Sequence, residues 1–236
     1  MRIIIDTETT GLNPEQDEIL QLAIIDADTG AILYNQHHRP LHHDEWPEAQ
    51  AVNGISPDFV SGCEPIMSPL CAGRIQMFLD MAEEIIGYNT RFDLAMLRAA
   101  GYNTREKCVE VRDAMGMYAA YHGEWSETHG GYKYKSLIFA AQDLGYIWQG
   151  AAHDALGDCL ATRYVYKEMC GLIAQQRAEI VERIMRCACM LIGTGERIHR
   201  CEDPALIFPA HRALEDQLRE LQLTLEGIRD GNPESI

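Results

Sequence analysis

The sequence predicts an α/β domain, with a mixed five-stranded sheet flanked by helices and a C-terminal helical extension. Three observations carry this. Three strand-like apolar runs come first, with no helical pattern between them. Strand-like and helical patterns then alternate. After residue 170 only helical spacing remains. The resulting order, β-β-β-α-β-α-β-α-α, makes a hairpin of the early strands and is not a Rossmann repeat.

The elements follow from local chemistry. Arg2–Asp6 is a short apolar strand ending in a carboxylate, and a Gly-Leu-Asn-Pro loop follows at 11–14. Glu18–Asp26 reads as a second strand, Ala27–Gly30 as a turn, and Ala31–His38 as the hairpin partner. A loop with His42, His43 and Pro47 leads into short helical pieces near Ala49–Val52 and Pro57–Val60. The spacing of Leu70, Ile75, Phe78, Leu79 and Ala82 predicts a helix over 69–84. Glu84–Tyr88 is a strand, and Asn89 or Thr90 is placed to cap the helix carrying Phe92–Ala100, which Gly101 ends. Cys108–Val111 is the last strand, and helices follow over Asp113–Tyr121, Ser136–Leu144 and His153–Cys170.

The domain division is 1–170 and 171–236. The second part holds two heptad-like seams: Ile180, Ile184, Cys187 and Leu191, then Leu214, Leu218, Leu221, Leu225 and Ile228. A break at Gly193-Thr194-Gly195 and a Pro204/Pro209 segment separate them. The second seam is too short to stand alone in water. It is expected to pack on the first as a hairpin or on a second chain as a homodimer, and it offers a face to a protein partner. Residues 230–236 are expected to fray.

The 236 residues are 47% hydrophobic and 24% charged, which excludes disorder for most of the chain. No apolar run approaches the ~20 residues of a membrane span, and the N-terminus lacks a secretory pattern. A cytoplasmic protein with no membrane partner is expected. The net charge of −16 excludes a large duplex-coating surface, but it suits a metal site, because cations neutralise clustered carboxylates. The eight cysteines are scattered, so a disulfide framework is not expected, and most are read as buried small apolar residues.

Four carboxylates and one histidine lie where elements end or begin. Asp6 and Glu8 sit in DTETTG at the exit of the first strand, two residues apart and so aimed the same way. Asp93 sits in NTRFDLAML at a helix start, and His153 and Asp158 sit in HDALGDCLAT at another. Each piece alone is an ordinary polar feature. Together, four converging carboxylates repel one another and raise their own pKa values. Two divalent cations remove that repulsion and create a phosphoryl-transfer centre.

These motifs resemble the DEDDh family of 3′–5′ exonucleases, the group that includes the proofreading subunit of bacterial replicative DNA polymerase. Asp6-Thr7-Glu8-Thr9-Thr10-Gly11 matches the first motif, Asn89 to Asp93 the second, and His153 through Asp158 the third. Glu18–Ala23, Asn53-Gly54-Ile55-Ser56 and Tyr134–Gly145 extend the resemblance over residues 1–170. The sister group carries Tyr at the position of Asp154, so His153 points to the histidine type. The resemblance implies an RNase H-like fold. It implies two Mg2+ or Mn2+ ions, which hard oxygen ligands also favour. It makes Asp6 the bridging ligand, places Glu8 and Asp158 on the first metal and Asp93 on the second, and makes His153 the general base. Histidine as a class exchanges protons near neutral pH.

The substrate so implied is the 3′ end of a single-stranded nucleic acid, with DNA favoured. The alternatives are an RNA-trimming exoribonuclease or oligoribonuclease and, in another class, a non-catalytic nucleic-acid-binding or assembly subunit. By resemblance the backbone of Thr7, Thr9, Thr10 and Gly11 cradles the terminal nucleotide, Leu12 wedges against its base, and Asn53 touches it. Arg91, Lys133 and Lys135 are candidate phosphate contacts, and Tyr132 and Tyr134 candidate stacking residues. Cys187, Cys189, His199 and Cys201 include four conceivable zinc ligands, but neighbouring ligands on one helix point apart, so a zinc site is not expected. His37, His38, His42 and His43 are read as exposed.

Overall fold

A computed structural model describes residues 1–105, 108–128, 130–148 and 153–200, with a few further positions between 209 and 222. Its sheet has five strands in the order β3-β2-β1-β4-β5. They are β1 (Arg2–Thr9), β2 (Ile19–Asp26), β3 (Ile32–His37), β4 (Glu84–Gly87) and β5 (Glu110–Asp113). β1, β4 and β5 pair in parallel, and β2 pairs antiparallel with both β1 and β3, so β2 alone runs against the others and the sheet is mixed. The C-terminal ends of the three parallel strands therefore meet at one edge. Open α/β sheets bind their ligands at that edge.

The helices are α1 (Pro47–Asn53), α2 (Pro57–Val60), α3 (Pro69–Met81), α4 (Thr90–Ala99), α5 (Ala114–His122), α6 (Leu137–Asp143) and α7 (Ala155–Arg200). A two-stranded hairpin, β6 (Trp125–Ser126) with β7 (Gly131–Tyr132), lies between α5 and α6; the sequence pattern does not announce it.

The core explains why the central strands are continuous apolar runs. Ile3, Ile5, Leu22 and Ile24 form one buried cluster with Ile75, Leu79, Leu94 and Leu97. On the opposite face α7 lies close enough for the Cys159 thiol to sit 3.8 Å from the Ile4 carbonyl and 3.6 Å from that of Ala23. Each fully buried aliphatic side chain contributes about 1.5–3 kcal/mol. Gly87 ends β4 where a Cβ would lie 3.0 Å from Thr90 Oγ1 and 3.2 Å from Thr90 Cα. Only glycine lets the chain turn this tightly into α4.

Several expectations need correction. Neither Asn89 nor Thr90 caps α4 with its side chain. Asn89 is left-handed (φ 68°) and its amide donates to Asp113, while the Thr90 hydroxyl donates to the Arg112 carbonyl. Leu70 is 70% exposed, because the buried stripe of α3 is Cys71, Ile75 and Leu79, one residue out of phase with it. His38 is fully buried: its ring lies 3.2 Å from the Tyr34 hydroxyl and 3.1 Å from the Glu64 carbonyl, and burial lowers its pKa to about 4. His37 and His43 are half-buried, leaving only His42 exposed as expected. The six described cysteines are free, but only Cys71 and Cys159 are buried.

The break at 193–195 is absent. α7 continues to Arg200, since an isolated glycine costs a helix only ~1 kcal/mol and no proline intervenes before 204. The chain divides into two compact units, Met1–Met169 and Cys170–Ile236. Along the second part of α7, Ile180, Ile184 and Leu191 are half-buried. Leu221, Leu225, Ile228, Cys201 and residues 230–236 lie outside the described residues, as do the side chains of Cys187 and His199. Among the described residues, no helix is long and apolar enough to cross a membrane.

Candidate active site

Asp6 and Glu8 lie within β1, opposite Ala23 and Gln21 of β2. The strand thus continues past the residue where its apolar run stops. The register shifts between Glu8 and Thr9. Such irregularities re-aim side chains and end pairing. Asp6 and Glu8 project to one side of the strand by the pleat. Thr7, between them, donates its amide (3.0 Å) and its hydroxyl (2.8 Å) to Asp93 Oδ1. Asp93 is 3% exposed in the first turn of α4, where the helix dipole favours a carboxylate. Thr7 is therefore committed to positioning Asp93.

The third part of the site is the start of α7. His153 is exposed and left-handed (φ 66°), just ahead of the helix. Asp154 caps the helix by accepting from the Gly157 amide at 3.1 Å. Gln21 fastens this turn to the sheet. Its amide group donates to Asp154 at 2.8 Å and accepts from the Ala155 amide at 3.2 Å. Asp158 follows one turn later, and the His153 amide donates to its carboxylate. Glu8, His153 and Asp158 offer ligand atoms that lie within 4.8 Å of one another. Asp158 Oδ1 is buried without a hydrogen-bond partner.

Burial and mutual repulsion set the electrostatics. Burial, then the charges of Asp93, Asp158 and Glu8, push the Asp6 carboxyl well above its ordinary range. Burial and Asp158 raise Glu8 to about 8, against a hydrogen bond from Asn53 that lowers it. Burial raises Asp93 to about 7 despite the Thr7 bonds. Asp158 rises to about 6, chiefly through burial, with the adjacent His153 opposing. A carboxyl raised in the folded state favours folding below its ordinary pKa, and loses that contribution as pH rises through its folded value. The metal-free protein is therefore expected to lose thermal stability between about pH 4.5 and about pH 8. A saturating divalent cation should flatten that dependence, because it replaces the proton as counter-charge. Melting curves across this range, with chelator and with Mg2+, check it; a metal-free melting temperature that climbs instead would contradict the repulsion.

The loop after β1 is built on Asp17. A Cβ on Gly11 would fall 2.5 Å from Asp17 Oδ2, and that carboxylate is held by the Asn13 amide and the Thr10 hydroxyl. Thr9 donates to the Gly11 carbonyl at 2.6 Å. The hydroxyls of Thr9 and Thr10 thus shape the loop, and Leu12 at its tip is 85% exposed. Asn53 donates to the Thr9 carbonyl at 3.3 Å, which brings it beside the loop and Glu8. Arg91 is exposed in the first turn of α4. Lys133 and Lys135 both pair with Glu124, and Tyr132 and Tyr134 are exposed. Sequence reasoning missed Gln21 and Asp154. The one available signal was a glutamine inside an otherwise apolar strand.

This sheet order, with acidic residues gathered at the end of its central strand, defines the class of RNase H-like nucleases. The chain belongs to the RNase_T exonuclease family, whose model matches residues 3–166; this is a group of DEDD-type 3′–5′ exonucleases. An uncharacterized exonuclease of Escherichia phage 186 is 32% identical over 167 residues, 68% of this chain and 84% of the phage protein. The zinc-bound form of the E. coli exonuclease I–single-stranded DNA complex matches with a TM-score of 0.58 at 22% identity, over 78% of this chain. E. coli exonuclease I in complex with a dA16 oligonucleotide gives 0.53 at 23% identity over 69% of this chain. The chain spans only 43% and 39% of those two structures, so they speak to the fold alone.

Proposed function

We propose that this chain is a metal-dependent 3′–5′ exonuclease that releases nucleoside monophosphates from the 3′ end of single-stranded nucleic acid, with DNA preferred. The observation that carries this reading is the gathering of Asp6, Glu8, Asp93 and Asp158, with His153, at one sheet edge. Their raised pKa values and the unpartnered Asp158 oxygen fit a site made for cations, and an almost all-oxygen donor set suits Mg2+ or Mn2+. Asp6 would serve both ions, Glu8 and Asp158 would hold one, and Asp93, steadied by Thr7, would hold the other. When bound, the two ions would supply charge neutralisation at the scissile phosphate and Lewis-acid activation of water.

The protein's own part is positioning and proton transfer. His153, exposed beside Glu8 and Asp158, takes the proton of the attacking water at a ring nitrogen. The Asp154–Gln21 clasp fixes the turn that presents it. The loop at Thr9 to Leu12 receives the terminal nucleotide, and Leu12 presents an apolar surface to its base. The exonuclease I neighbours share the fold and were solved with single-stranded DNA or a dA16 oligonucleotide, and DNA is the polymer we propose for this chain.

Single strands labelled at the 5′ end test this directly. Linear DNA should shorten stepwise from its 3′ end, whereas a 3′ phosphate and a closed circle should resist. Efficient cutting of the circle would mean an endonuclease, and faster shortening of RNA would reverse the polymer preference.

The Leu214–Ile228 heptads support self-association, and Leu218 is half-exposed. Leu218→Glu with Leu225→Glu should then halve the mass seen by light scattering; a wild-type monomer at every concentration would exclude the dimer.

A further inference from the structure

One exposed aromatic cluster has no part in the site just described. Trp125 is 55% exposed, Tyr132 36% and Tyr134 67%, all on or beside the β6–β7 hairpin. Soluble proteins rarely leave large rings grouped in water without a use for them. The Trp125 and Tyr132 rings brace each other edge-to-face at 5.3 Å. Tyr132 and Tyr134 wall a cavity of about 480 Å³, whose other lining is Gly116 and Ala119 of α5 with Gly131 and Lys133. Small residues at Gly116, Ala119 and Gly131 leave room between the tyrosines and α5 for a flat group.

The chemistry of the wall selects the ligand. Tyr132-Lys133-Tyr134-Lys135 alternates rings with cations. The two lysines share the Glu124 carboxylate, and with Glu127 in the hairpin turn the segment 123–135 carries two acidic and two basic groups, so it is neutral within a strongly acidic chain. Rings for bases and ammonium groups for phosphates are what a sequence-tolerant single-strand platform requires. The location agrees. The Tyr88 hydroxyl, at the end of β4, donates to the Lys135 carbonyl at 2.8 Å. This ties the strand leaving the hairpin to the same sheet edge that carries Asn89 and Asp93.

We infer that the Tyr132–Tyr134 wall and the α5 floor at Gly116 form a stacking subsite for a base of the single strand, upstream of the nucleotide being removed. The inference rests on the proposed exonuclease reading and names how that enzyme holds a longer strand. The subsite adds affinity for strands long enough to reach it and leaves the chemistry at Asp6 untouched.

Two variants separate this subsite from fold and catalysis. A Cβ on Gly116 meets nothing within 4 Å, so Gly116→Leu, a good helix former, starts into open space and takes up room in the cavity that Gly116 lines. Tyr134→Ala removes an exposed ring, and Tyr134→Phe keeps it. Binding of a fluorescent oligothymidylate is read by anisotropy in chelator, where no turnover occurs, and hydrolysis of that strand and of a trinucleotide is read with Mg2+. Gly116→Leu and Tyr134→Ala should each weaken binding of the long strand on the order of 10-fold, the scale of one base–aromatic stack. Its KM should rise in parallel with kcat unchanged. Tyr134→Phe, and every variant on the trinucleotide, should match wild type. Long-strand binding unchanged in both disruptive variants, or lost equally for the trinucleotide, would overturn the subsite. A wild-type protein that hydrolyses neither strand would overturn the exonuclease reading instead, while the anisotropy arm still judges the subsite.

Discussion

Alanine at position 6 is expected to abolish hydrolysis while raising the melting temperature of the metal-free protein. Both effects have one cause. Asp6 is the most centrally placed of the four carboxylates, and the other three all push its pKa upward. Removing it relieves that repulsion and the desolvation of a buried charge, so the apo fold gains. The same removal deletes the ligand assigned to both ions. Metal stabilisation of the transition state amounts to several kcal/mol, so activity should fall on the order of 10⁴-fold or more. Calorimetry in chelator reads the first effect and single-turnover assays in Mg2+ the second. Near wild-type activity in Asp6→Ala would remove the basis for the two-ion assignment.

His153 carries the next largest effect. As general base its loss should lower the single-turnover rate by roughly 10²–10⁴-fold, the usual scale for such groups. Substrate affinity should persist, because the side chain is exposed. The backbone at 153 is left-handed, so His153→Ala adds strain of ~1–2 kcal/mol, whereas asparagine tolerates that region. His153→Asn is therefore the cleaner variant, and both should lose rate alike. A full rate in either would show that another group accepts the proton.

The site's parts were legible because each lies at the end of a clear pattern: an apolar strand running into Asp-Thr-Glu, a tight glycine turn into a helix with Asp93, and a helix start with His153 and Asp158. What holds them in place was not. The Gln21–Asp154 bond joins residues 133 apart in the chain, and the Thr7–Asp93 bonds join residues 86 apart. Neither spacing leaves a local trace. The apolar run stops at Asp6 because acidic residues break it, yet the β1–β2 ladder carries the strand past Glu8. His38 looked like one of four polar loop residues. Its burial depends on Tyr34 and on the distant Glu64 carbonyl, a tertiary fact. The full length of α7 was hidden for a different reason. Gly193 and Gly195 carry a breaker's signature, but their propensity penalty is small beside the hydrogen-bonding continuity of a long helix.

The central claim is that this acidic edge works as a cation-dependent hydrolytic site. Its most direct test is the single-turnover hydrolysis of a 5′-labelled single-stranded DNA by protein stripped with chelator, then titrated with Mg2+. The account predicts no product in chelator, a rate that rises with more than first-order dependence on Mg2+ before saturating, and a ladder shortening from the 3′ end. Hydrolysis at full rate in chelator would contradict it.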